Sequence, residues 1–409
     1  MKTKKTILAT TYAINPFKGS EDGMGWNFVC QIARFHSVIA ITRENNREDI
    51  ERYMQQHPND IYQNITFLYF DLPYWMRFWK KGSRGAMLYY WMWQYGVISF
   101  IHKQNIHFDI VHNLNFHNDW TPSYLWKLNK PFVWGPVGHH PRIPSQYLKP
   151  YKFMYQIKDS CTWVVKKIFW NGSYALKNTV KNAQHVLCMN SSVQPKLKLP
   201  FNQYSIMPSV ATEDFGRVTN TKSKKFTLIS AGRLVPLKGF DLSIHAFASF
   251  LKNIPLSHRE NCELIIVGKG PELNFYMDLC EKHQVLPYVK FIDWMDRKDL
   301  MELFRSATAF LFPSHEGAGM VVAEALSFGL PVICLNNSGP GEFIDDSCGI
   351  KVPIQSYQNT IRDLESAIHQ LYIKPHLLKE MKYHARKKFE ESFHWDRRGE
   401  TLNHVYQSL

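Results

Sequence analysis

The sequence lacks paired cysteines and long apolar runs, and we do not expect its first residues to act as a secretion signal. Its seven cysteines stand singly and form no Cys-x-x-Cys pair, which is typical of buried, reduced cysteine in a cytosolic protein rather than of a zinc or disulfide framework. The most apolar run, residues 86–101, is interrupted by Gln94 and is shorter than the roughly 20 residues that span a bilayer. The first twelve residues hold too few apolar positions for a secretion signal and favour a first buried strand.

Two motifs of phosphate chemistry are also missing. The sequence contains neither an Asp-x-Asp pair, which offers a loop-borne site for Mg²⁺, nor the Walker glycine–lysine pattern. His112 and His117 are not spaced as metal ligands around an acid, so we interpret them as structural and predict no metal site. Acidic residues are outnumbered, 35 against 49 Lys and Arg, and the net charge of +14 favours a phosphorylated ligand, an acidic membrane surface or nucleic acid as partner.

A chain of 409 residues suffices for two or three domains of about 100–200 residues each. Strand-like runs alternate with helical segments throughout, which predicts an α/β fold with doubly wound parallel sheets. The main helices are predicted at 26–36, 84–105, 119–128, 239–252, 271–283, 296–305, 320–328, 359–372 and 376–392. The polar stretch 212–225 leads into the second half. We therefore predict domains at 1–208 and 209–392, with a helix at about 393–409 that packs back on the first.

Residues 311–333, LFPSHEGAGMVVAEALSFGLPVI, are predicted to form a strand, a glycine-rich turn, a short helix and another strand. The helix is apolar almost all the way round, which is typical of a buried helix. Glu324 lies on it, and a buried carboxylate is costly unless something bonds to it. Glu316 lies on the loop before the helix, where glycines let backbone N–H groups approach a ligand. Glu324 is thus either a ligand-binding group or a core acid paired with Arg or Lys.

Two other loops of the second half follow strands. SAGRLVPLKGFD places Arg233 and Lys238 before a helix, where they are either a metal-free diphosphate site or ordinary solvated charges. IVGKGPE supplies Gly268 and Gly270, whose backbone is suited to hydrogen bonding a base. The stretch 336–343 adds a third glycine turn that either holds a phosphate or shapes the chain. Ligands of α/β sheets bind at the carboxyl ends of the strands, which favours the ligand-binding alternatives.

The first half carries two comparable features. NPFKGSEDGMGW, residues 15–26, is predicted to be a glycine loop between the first strand and the first helix. His139 and His140 follow WGPVG at a strand end. Either one of them orients a hydroxyl or stabilises developing charge, or the two form a surface pair beside Pro141.

Two inserts, 73–103 and 147–181, combine aromatic residues with Lys and Arg and hold few acids. Such faces suit an anionic bilayer or a lipid-linked substrate. The alternative is a helical insert that buries its aromatic residues internally and exposes its lysines.

In this order and spacing, GRLVPLKGFD, IVGKGPE, PSHEGAGMVVAEALSFGLPVI and GPGE resemble the retaining nucleotide-sugar glycosyltransferases of family 4, which have the GT-B fold. NPFKGSEDGMGW and WGPVGHH resemble the subgroup that builds bacterial surface polysaccharides, although that subgroup usually has further glycines where this chain has His139 and His140. The resemblance covers nearly the whole chain and is most specific in 230–345. It implies two Rossmann-like domains that face a central cleft.

The resemblance also implies roles for individual residues. Arg233 and Lys238 would clamp the donor diphosphate and stabilise the leaving group, doing the work of a metal. Glu324 would bind the ribose, and Glu316 would hold the sugar hydroxyls. His139 or His140 would approach the transferred sugar. The expected catalytic residues are Arg233, Lys238, Glu316, His139 and His140, and the expected substrate-binding residues are Gly19, Ser20, Gly268, Gly270, Gly317, Ala318, Gly319, Met320 and Glu324.

On this reading the chain is a metal-independent hexosyltransferase with no cofactor and a UDP- or GDP-type sugar as donor. The acceptor would be a glycan or polyprenyl-linked glycan in capsule, O-antigen or exopolysaccharide synthesis. The expected location is cytoplasmic, with peripheral contact to the anionic inner face of the plasma membrane and no nucleic acid partner. The alternatives are a GT-B fold epimerase or phosphorylase, and a non-catalytic basic protein that binds membrane or RNA. An RNA-binding role is disfavoured because the basic aromatic inserts form no recognisable RNA-binding module.

Overall fold

The computed structural model describes residues 3–82, 84–114, 118–216, 225–293 and 295–409. His117 and most of the stretch 212–225, both considered above, lie outside these ranges. The chain divides into two compact units. The first comprises Met1–His139, Thr162–Ser209 and Trp395–Leu409, and the second comprises His140–Cys161 and Val210–His394.

The first unit contains a parallel sheet that, within the described residues, has seven strands in the order β3-β2-β1-β4-β5-β6-β7. The strands are β1 (Thr6–Thr11), β2 (Ser37–Thr42), β3 (Ile65–Tyr69), β4 (Ile110–Leu114), β5 (Phe132–Val137), β6 (His185–Cys188) and β7 (Tyr204–Ile206). β4 and β5 are buried along their whole length. Parallel strands are covered by helices on both faces, which explains why they appear in the sequence as continuous apolar runs.

The second unit repeats this arrangement with, in its described part, a six-stranded parallel sheet in the order β10-β9-β8-β11-β12-β13. Its strands are β8 (Phe226–Ala231), β9 (Cys262–Val267), β10 (Val289–Ile292), β11 (Ala309–Phe312), β12 (Val332–Leu335) and β13 (Gly349–Val352). Both strand orders reverse direction beside the first strand of the unit, as in doubly wound sheets, so the carboxyl ends at that point form the expected ligand edge.

Helices connect the strands. In chain order they are α1 (Ser20–Ala33), α2 (Arg47–Gln56), α3 (Tyr74–Arg77), α4 (Ala86–Lys103), α5 (Ser145–Leu148), α6 (Phe153–Gly172), α7 (Tyr174–Asn182), α8 (Val193–Leu197), α9 (Phe240–Asn253), α10 (Leu256–Arg259), α11 (Leu273–Lys282), α12 (Arg297–Ser306), α13 (Met320–Ser327), α14 (Pro340–Phe343), α15 (Tyr357–Ile373), α16 (Pro375–Ser392) and α17 (Trp395–Ser408). The predicted end of α13 is confirmed, because Gly329 follows it with a φ of +69°, the left-handed conformation that favours glycine.

Two predicted helices differ from the structure. The helix predicted at 26–36 begins six residues earlier, at Ser20, because Glu21 and Asp22 in its first turn suit the positive end of the helix dipole. The helix predicted at 119–128 is only a 3₁₀ turn at Leu125–Leu128. The Asn118 side chain accepts hydrogen bonds from the backbone N–H groups of residues 120 and 121, and this local turn replaces a first helical turn.

The observed units also differ from the predicted domains in residues 140–161, which belong to the second unit. Tyr147 and Tyr151 explain this placement, since both are buried in the core of that unit. Tyr147 hydrogen bonds to Thr360 at 2.8 Å, and Tyr151 donates to Asp241 at 2.7 Å. The insert 147–181 therefore buries some of its aromatic residues, whereas α6 contributes no buried side chain.

Candidate functional site

Four loops meet at the carboxyl edge of the second sheet. Backbone hydrogen bonds join the loop after β8 to the loops after β9 and β11: Leu234 N–H donates to the Lys269 carbonyl at 2.8 Å, and His315 N–H donates to the Leu237 carbonyl at 2.9 Å. The Asn337 side chain, after β12, donates to the Ser314 carbonyl at 2.7 Å. The segments that carry Arg233, Lys238, Glu316 and the three glycine turns are thus brought together, as the sequence predicts.

Lys238 and Glu316 form the central ion pair of this edge. Lys238 Nζ lies 2.6 Å from Glu316 Oε2, and both side chains are largely buried, at 14% and 13% exposure. A charge-assisted bond in such a partly desolvated position is stronger than a surface ion pair. Arg233 lies on the same loop with its side chain exposed. The edge therefore presents one paired and one solvent-facing cation to an anionic group.

The glycines of these loops allow close approach between backbones. A Cβ at Gly268, whose φ is +144°, would lie 2.0 Å from the Gly232 carbonyl oxygen. A Cβ at Gly270 would lie 2.3 Å from the Leu234 carbonyl oxygen, and one at Gly239 would lie 2.2 Å from that of Pro313. Glycine is required at these positions because a side chain has no room. These glycines pack the loop that carries Arg233 and Lys238 against its neighbours.

The turn before α13 contains Gly317, Ala318, Gly319 and Met320. Gly317 N–H donates to His140 Nδ1 at 3.1 Å, so His140 lies beside the turn that carries Glu316. A Cβ at Gly339, in the turn after β12, would lie 2.2 Å from the Glu316 carbonyl oxygen. Burial lowers the pKa of the neighbouring His315 to about 4, so this histidine is neutral at physiological pH.

Glu324 is buried on α13 and paired with a cation that the sequence analysis did not identify. Arg297 Nη2, at the start of α12, lies 2.9 Å from Glu324 Oε1, and the same nitrogen lies 3.0 Å from Thr212 Oγ1. Burial raises the pKa of Glu324, and Arg297 opposes that rise. The alternative of an acid paired with Arg is therefore realised in the structure. The pair leaves the second carboxylate oxygen, Oε2, as an acceptor for a hydroxyl group.

His139 belongs to the first unit, where it is held by a residue that the sequence analysis also missed. Its Nδ1 lies 2.7 Å from Asp119 Oδ2, and Asp119 is 2% exposed. The Trp170 ring packs beside the imidazole with centroids 5.5 Å apart. This pairing fixes the orientation of the ring and makes Nε2 the other hydrogen-bonding atom. The signal available in the sequence was only the position of Asp119 shortly after β4.

Gly19 and Ser20 form the start of α1 in the first unit. Gly19 is the N-cap residue, with φ of −85°, and a Cβ built on it meets nothing within 4 Å. Ser20 has a φ of +57°. The position that a side chain would occupy at Gly19 is therefore open, in contrast to the packed glycines of the second unit. The predicted loop around Gly23 and Gly25 is wrong, since both lie inside α1.

The described residues contain no group of three or more His, Cys, Asp or Glu side chains placed to hold a metal ion. The imidazole of His112 is buried between the Gly135 carbonyl and the Tyr406 hydroxyl, at 2.7 and 2.6 Å. In the part of the chain that the structure describes, no helix combines the length and the apolar character needed to cross a bilayer.

Comparison with known proteins finds a family model that matches a stretch of the chain within the second unit. Residues 212–388 match the family model described as "Glycosyl transferases group 1". This stretch contains Arg233, Lys238, Glu316, Arg297 and Glu324, so the ion pairs described above lie inside the matched region.

Curated relatives align with a similar part of the chain. The lipopolysaccharide glucosyltransferase WaaG of Escherichia coli (strain K12) is 34% identical over 152 residues, which are 37% of this chain and 39% of that protein. The putative glycosyltransferase YtcC of Bacillus subtilis (strain 168) is 30% identical over 220 residues, which are 49% of this chain and 51% of that protein. The chain thus matches about half or less of the length of these relatives.

Solved structures resemble the chain over almost its full length. Anabaena Alr3699/HepE in complex with UDP and glucose has a TM-score of 0.63 at 14% identity, covering 99% of this chain and 100% of that one. WaaG, a glycosyltransferase involved in lipopolysaccharide biosynthesis, has a TM-score of 0.61 at 19% identity, covering 98% and 99%. At these identities the likeness concerns the fold, and it confirms the predicted GT-B fold with two Rossmann-like domains.

Proposed function

We propose that this chain, whose residues 212–388 match the group 1 glycosyl transferases, moves a sugar from a nucleotide diphosphate sugar to an acceptor hydroxyl. The observation that carries the proposal is the cationic edge of the second sheet, where Arg233 and the Lys238–Glu316 pair lie on neighbouring strand-end loops. Parallel sheets bind ligands at this edge. A diphosphate is the ligand whose charge matches two cations at a loop that precedes a helix.

In this proposal the cations stabilise the leaving group. Negative charge develops on the diphosphate as its bond to the sugar breaks, and cations already fixed in a desolvated site stabilise that charge without reorganisation. Lys238 would exchange part of its bond to Glu316 for a bond to the phosphate, which frees a carboxylate oxygen of Glu316 for a sugar hydroxyl. The site needs no metal for this step.

Glu324 and His139 have supporting roles in the proposed reaction. Glu324 would accept hydrogen bonds from the ribose hydroxyls while Arg297 balances its charge. His139 would donate to or accept from the transferred sugar through Nε2, with Asp119 as a positioning residue. We place His140 beside the sugar-holding turn because of its bond to Gly317. The reaction would retain the anomeric configuration by a same-face path, in which the leaving phosphate helps deprotonate the acceptor and no protein nucleophile is used.

The proposed donor and acceptor are supported by what two similar proteins are described as binding or making. HepE, which shares the fold, is described in complex with UDP and glucose, and this supports a UDP- or GDP-type donor. WaaG is named for lipopolysaccharide, and this supports a glycan or polyprenyl-linked acceptor in the synthesis of a surface polysaccharide. The aromatic and basic insert 73–103 supports peripheral contact with an anionic membrane on the cytoplasmic side.

A donor panel tests the proposal. The protein is incubated with UDP- and GDP-sugars in EDTA, with and without glycan acceptors, and the nucleotide released is measured. We expect release from one donor, and we expect Arg233→Ala and Glu324→Ala each to abolish it while Lys269→Ala, an exposed cation on the loop after β9, leaves it unchanged. Wild-type activity in both site variants would contradict the proposal. Epimerised donor without acceptor, or dependence on free phosphate, would identify an epimerase or a phosphorylase instead.

A further inference from the structure

A cavity lies in the first unit, between the segment after β3 and helix α4. It has a volume of about 670 Å³, within the range of roughly 300–1,000 Å³ that is typical of small-molecule pockets. Its walls are mainly apolar and include Leu72, Met76, Met92 and the stacked pair Phe70 and Phe100, whose ring centroids are 4.9 Å apart. The cavity therefore suits an apolar ligand.

One lysine lines this apolar cavity and a second lies close to two of its rings. Lys103 is one of its lining residues. Lys127 Nζ lies 5.1 Å from the centroid of Tyr95 and 5.7 Å from that of Tyr124, and both rings line the cavity. The stretch 73–103 contains five Lys or Arg residues and neither Asp nor Glu. The acid on the wall, Asp71, accepts a hydrogen bond from the Tyr89 hydroxyl. An anionic group beside the cavity would thus meet positive charge.

Helix α3 forms part of the wall through Met76, and large exposed rings lie on this helix and directly after it. Tyr74, Trp75 and Phe78 are 74%, 71% and 59% exposed. Aromatic rings flanked by Lys and Arg are favoured at the boundary between lipid head groups and acyl chains. The exposed rings therefore flank Met76, the residue through which this segment lines the cavity.

We propose that this cavity binds one hydrocarbon chain of an anionic membrane lipid, with the head group beside Lys103 and Lys127 and the three exposed rings of residues 74–78 in the bilayer interface. The observations favour this ligand over a neutral apolar molecule because the cations lie at the cavity and no acid occurs in 73–103. The inference gives the membrane contact of the proposed function a specific site, and it requires no step of the sugar transfer.

Alkyl phosphates test the cavity directly. Octyl, nonyl and decyl phosphate, each below its critical micelle concentration, are titrated into the protein by calorimetry. We expect saturation at one molecule per chain and an affinity that rises up to about fourfold per methylene, the factor that full burial of each methylene provides. An affinity independent of chain length, or the absence of saturable binding, would overturn the proposal.

Two variants on α4 test whether the alkyl phosphates bind in this cavity. Ser99 is exposed and lines the cavity, so Ser99→Trp introduces a ring that fills it without replacing a core residue. His102 is exposed on the same helix and does not line the cavity, so His102→Trp is the matched control. We expect Ser99→Trp to weaken decyl phosphate at least tenfold and His102→Trp to bind as the wild type does. Equal binding by both variants would overturn the assignment to this cavity.

Vesicle binding tests whether the ligand of this cavity is a membrane lipid. Sedimentation is measured with phosphatidylcholine vesicles and with vesicles that contain 30% phosphatidylglycerol, at the same low salt. We expect binding to the anionic vesicles alone, weakened at least fivefold by Ser99→Trp and unchanged by His102→Trp. Decyl phosphate binding without vesicle binding would contradict a membrane lipid as the ligand. UDP binding, measured on the same samples, separates either failure from a failure of the proposed transferase function, because UDP would bind in the second unit.

Discussion

At the scale of single residues, the Lys238–Glu316 pair determines how ordered the cationic edge of the second unit is before an anion binds. Lys238 is already held by Glu316 at 2.6 Å, so its side chain is ordered before a ligand arrives. An ordered cation loses less conformational entropy on binding than a free lysine, whose side chain can lose on the order of 2 kcal/mol. The same pairing means that a diphosphate has to compete with Glu316 for the ammonium group.

Replacing Lys238 tests its role in stabilising the leaving group. Lys238→Met keeps most of the side-chain volume and removes the charge. We expect kcat for donor turnover to fall about 100- to 1,000-fold, the usual effect of losing one preorganised charge-stabilising group. Lys269→Met, on the neighbouring loop, is the matched control and should retain wild-type kcat. A loss of less than threefold in Lys238→Met, with the fold intact by circular dichroism, would argue against the role.

The Glu324–Arg297 pair gives a prediction about stability. Burial raises the pKa of Glu324 above its unfolded value, so the charged form costs stability above the folded pKa and costs none below the unfolded pKa. We expect Arg297→Gln to destabilise the second unit by about 1–3 kcal/mol at pH 7, because it leaves the buried charge without its cation. Glu324→Gln should cost less than Arg297→Gln. Urea unfolding at pH 7 measures both, and the reverse order would show that the ion pair is a net stabiliser.

At the scale of elements, the buried side chain of His112 joins two strands and a helix of the first unit while it is neutral. His112 on β4 bonds to the Gly135 carbonyl of β5 and the Tyr406 hydroxyl of α17. Burial lowers its pKa to about 4, well below the usual value for histidine. The unfolded chain therefore binds this proton more readily, and the stability provided by the neutral imidazole falls as the pH falls from about 6.5 toward 4.

We expect this dependence to appear in unfolding measurements of the wild type. The free energy of unfolding should decline between pH 6.5 and 4.5, and His112→Gln should show a shallower decline because one titrating group has been removed. His404→Gln, on an exposed position of α17, should keep the wild-type slope. An identical slope in His112→Gln and the wild type would contradict the assignment of the proton uptake to His112.

Replacing Gly268 or Gly19 with alanine should have opposite effects on stability. Gly268→Ala forces a side chain into contact with the Gly232 carbonyl at a positive φ, and we expect a loss of about 1–3 kcal/mol in unfolding free energy together with weaker donor binding. Gly19→Ala meets nothing within 4 Å and should leave the melting temperature unchanged. If Gly19 approaches the donor phosphates, Gly19→Ala raises KM for the donor. Thermal melts and donor kinetics of both variants measure these effects, and a stable Gly268→Ala would contradict the packing argument.

Much at the element scale could be predicted from sequence, because parallel strands and the end of α13 depend on local patterns. The alternation of apolar runs identified the β strands, and Gly329 identified the end of its helix. The start of α1 was not predicted, since glycines at 23 and 25 suggested a loop while the acids of the first turn favoured a helix. Arg297 and Asp119 were not identified because their partners, Glu324 and His139, are brought to them only by tertiary folding.

At the scale of the whole molecule, the sequence predicts two doubly wound units, and the structure contains them with different boundaries. The segment 140–161 belongs to the second unit through Tyr147 and Tyr151. The unit to which this segment belongs depends on which of the two hydrophobic cores buries the two tyrosine rings. The sequence around the rings does not specify that core. The motifs at strand ends were easier to predict because each depends on a short stretch, and the fold then brings those stretches to one edge.

The central claim is that the edge formed by the loops after β8 and β11 binds the donor diphosphate. Calorimetric titration of UDP and GDP in EDTA, into the wild type, Arg233→Ala, Lys238→Met and the control Lys269→Met, tests it most directly. We predict one site per chain for one of the two nucleotides, an affinity at least tenfold weaker in each of the first two variants, and wild-type affinity in the control. Failure of both nucleotides to bind the wild type, or equal affinity in all four proteins, would contradict the account.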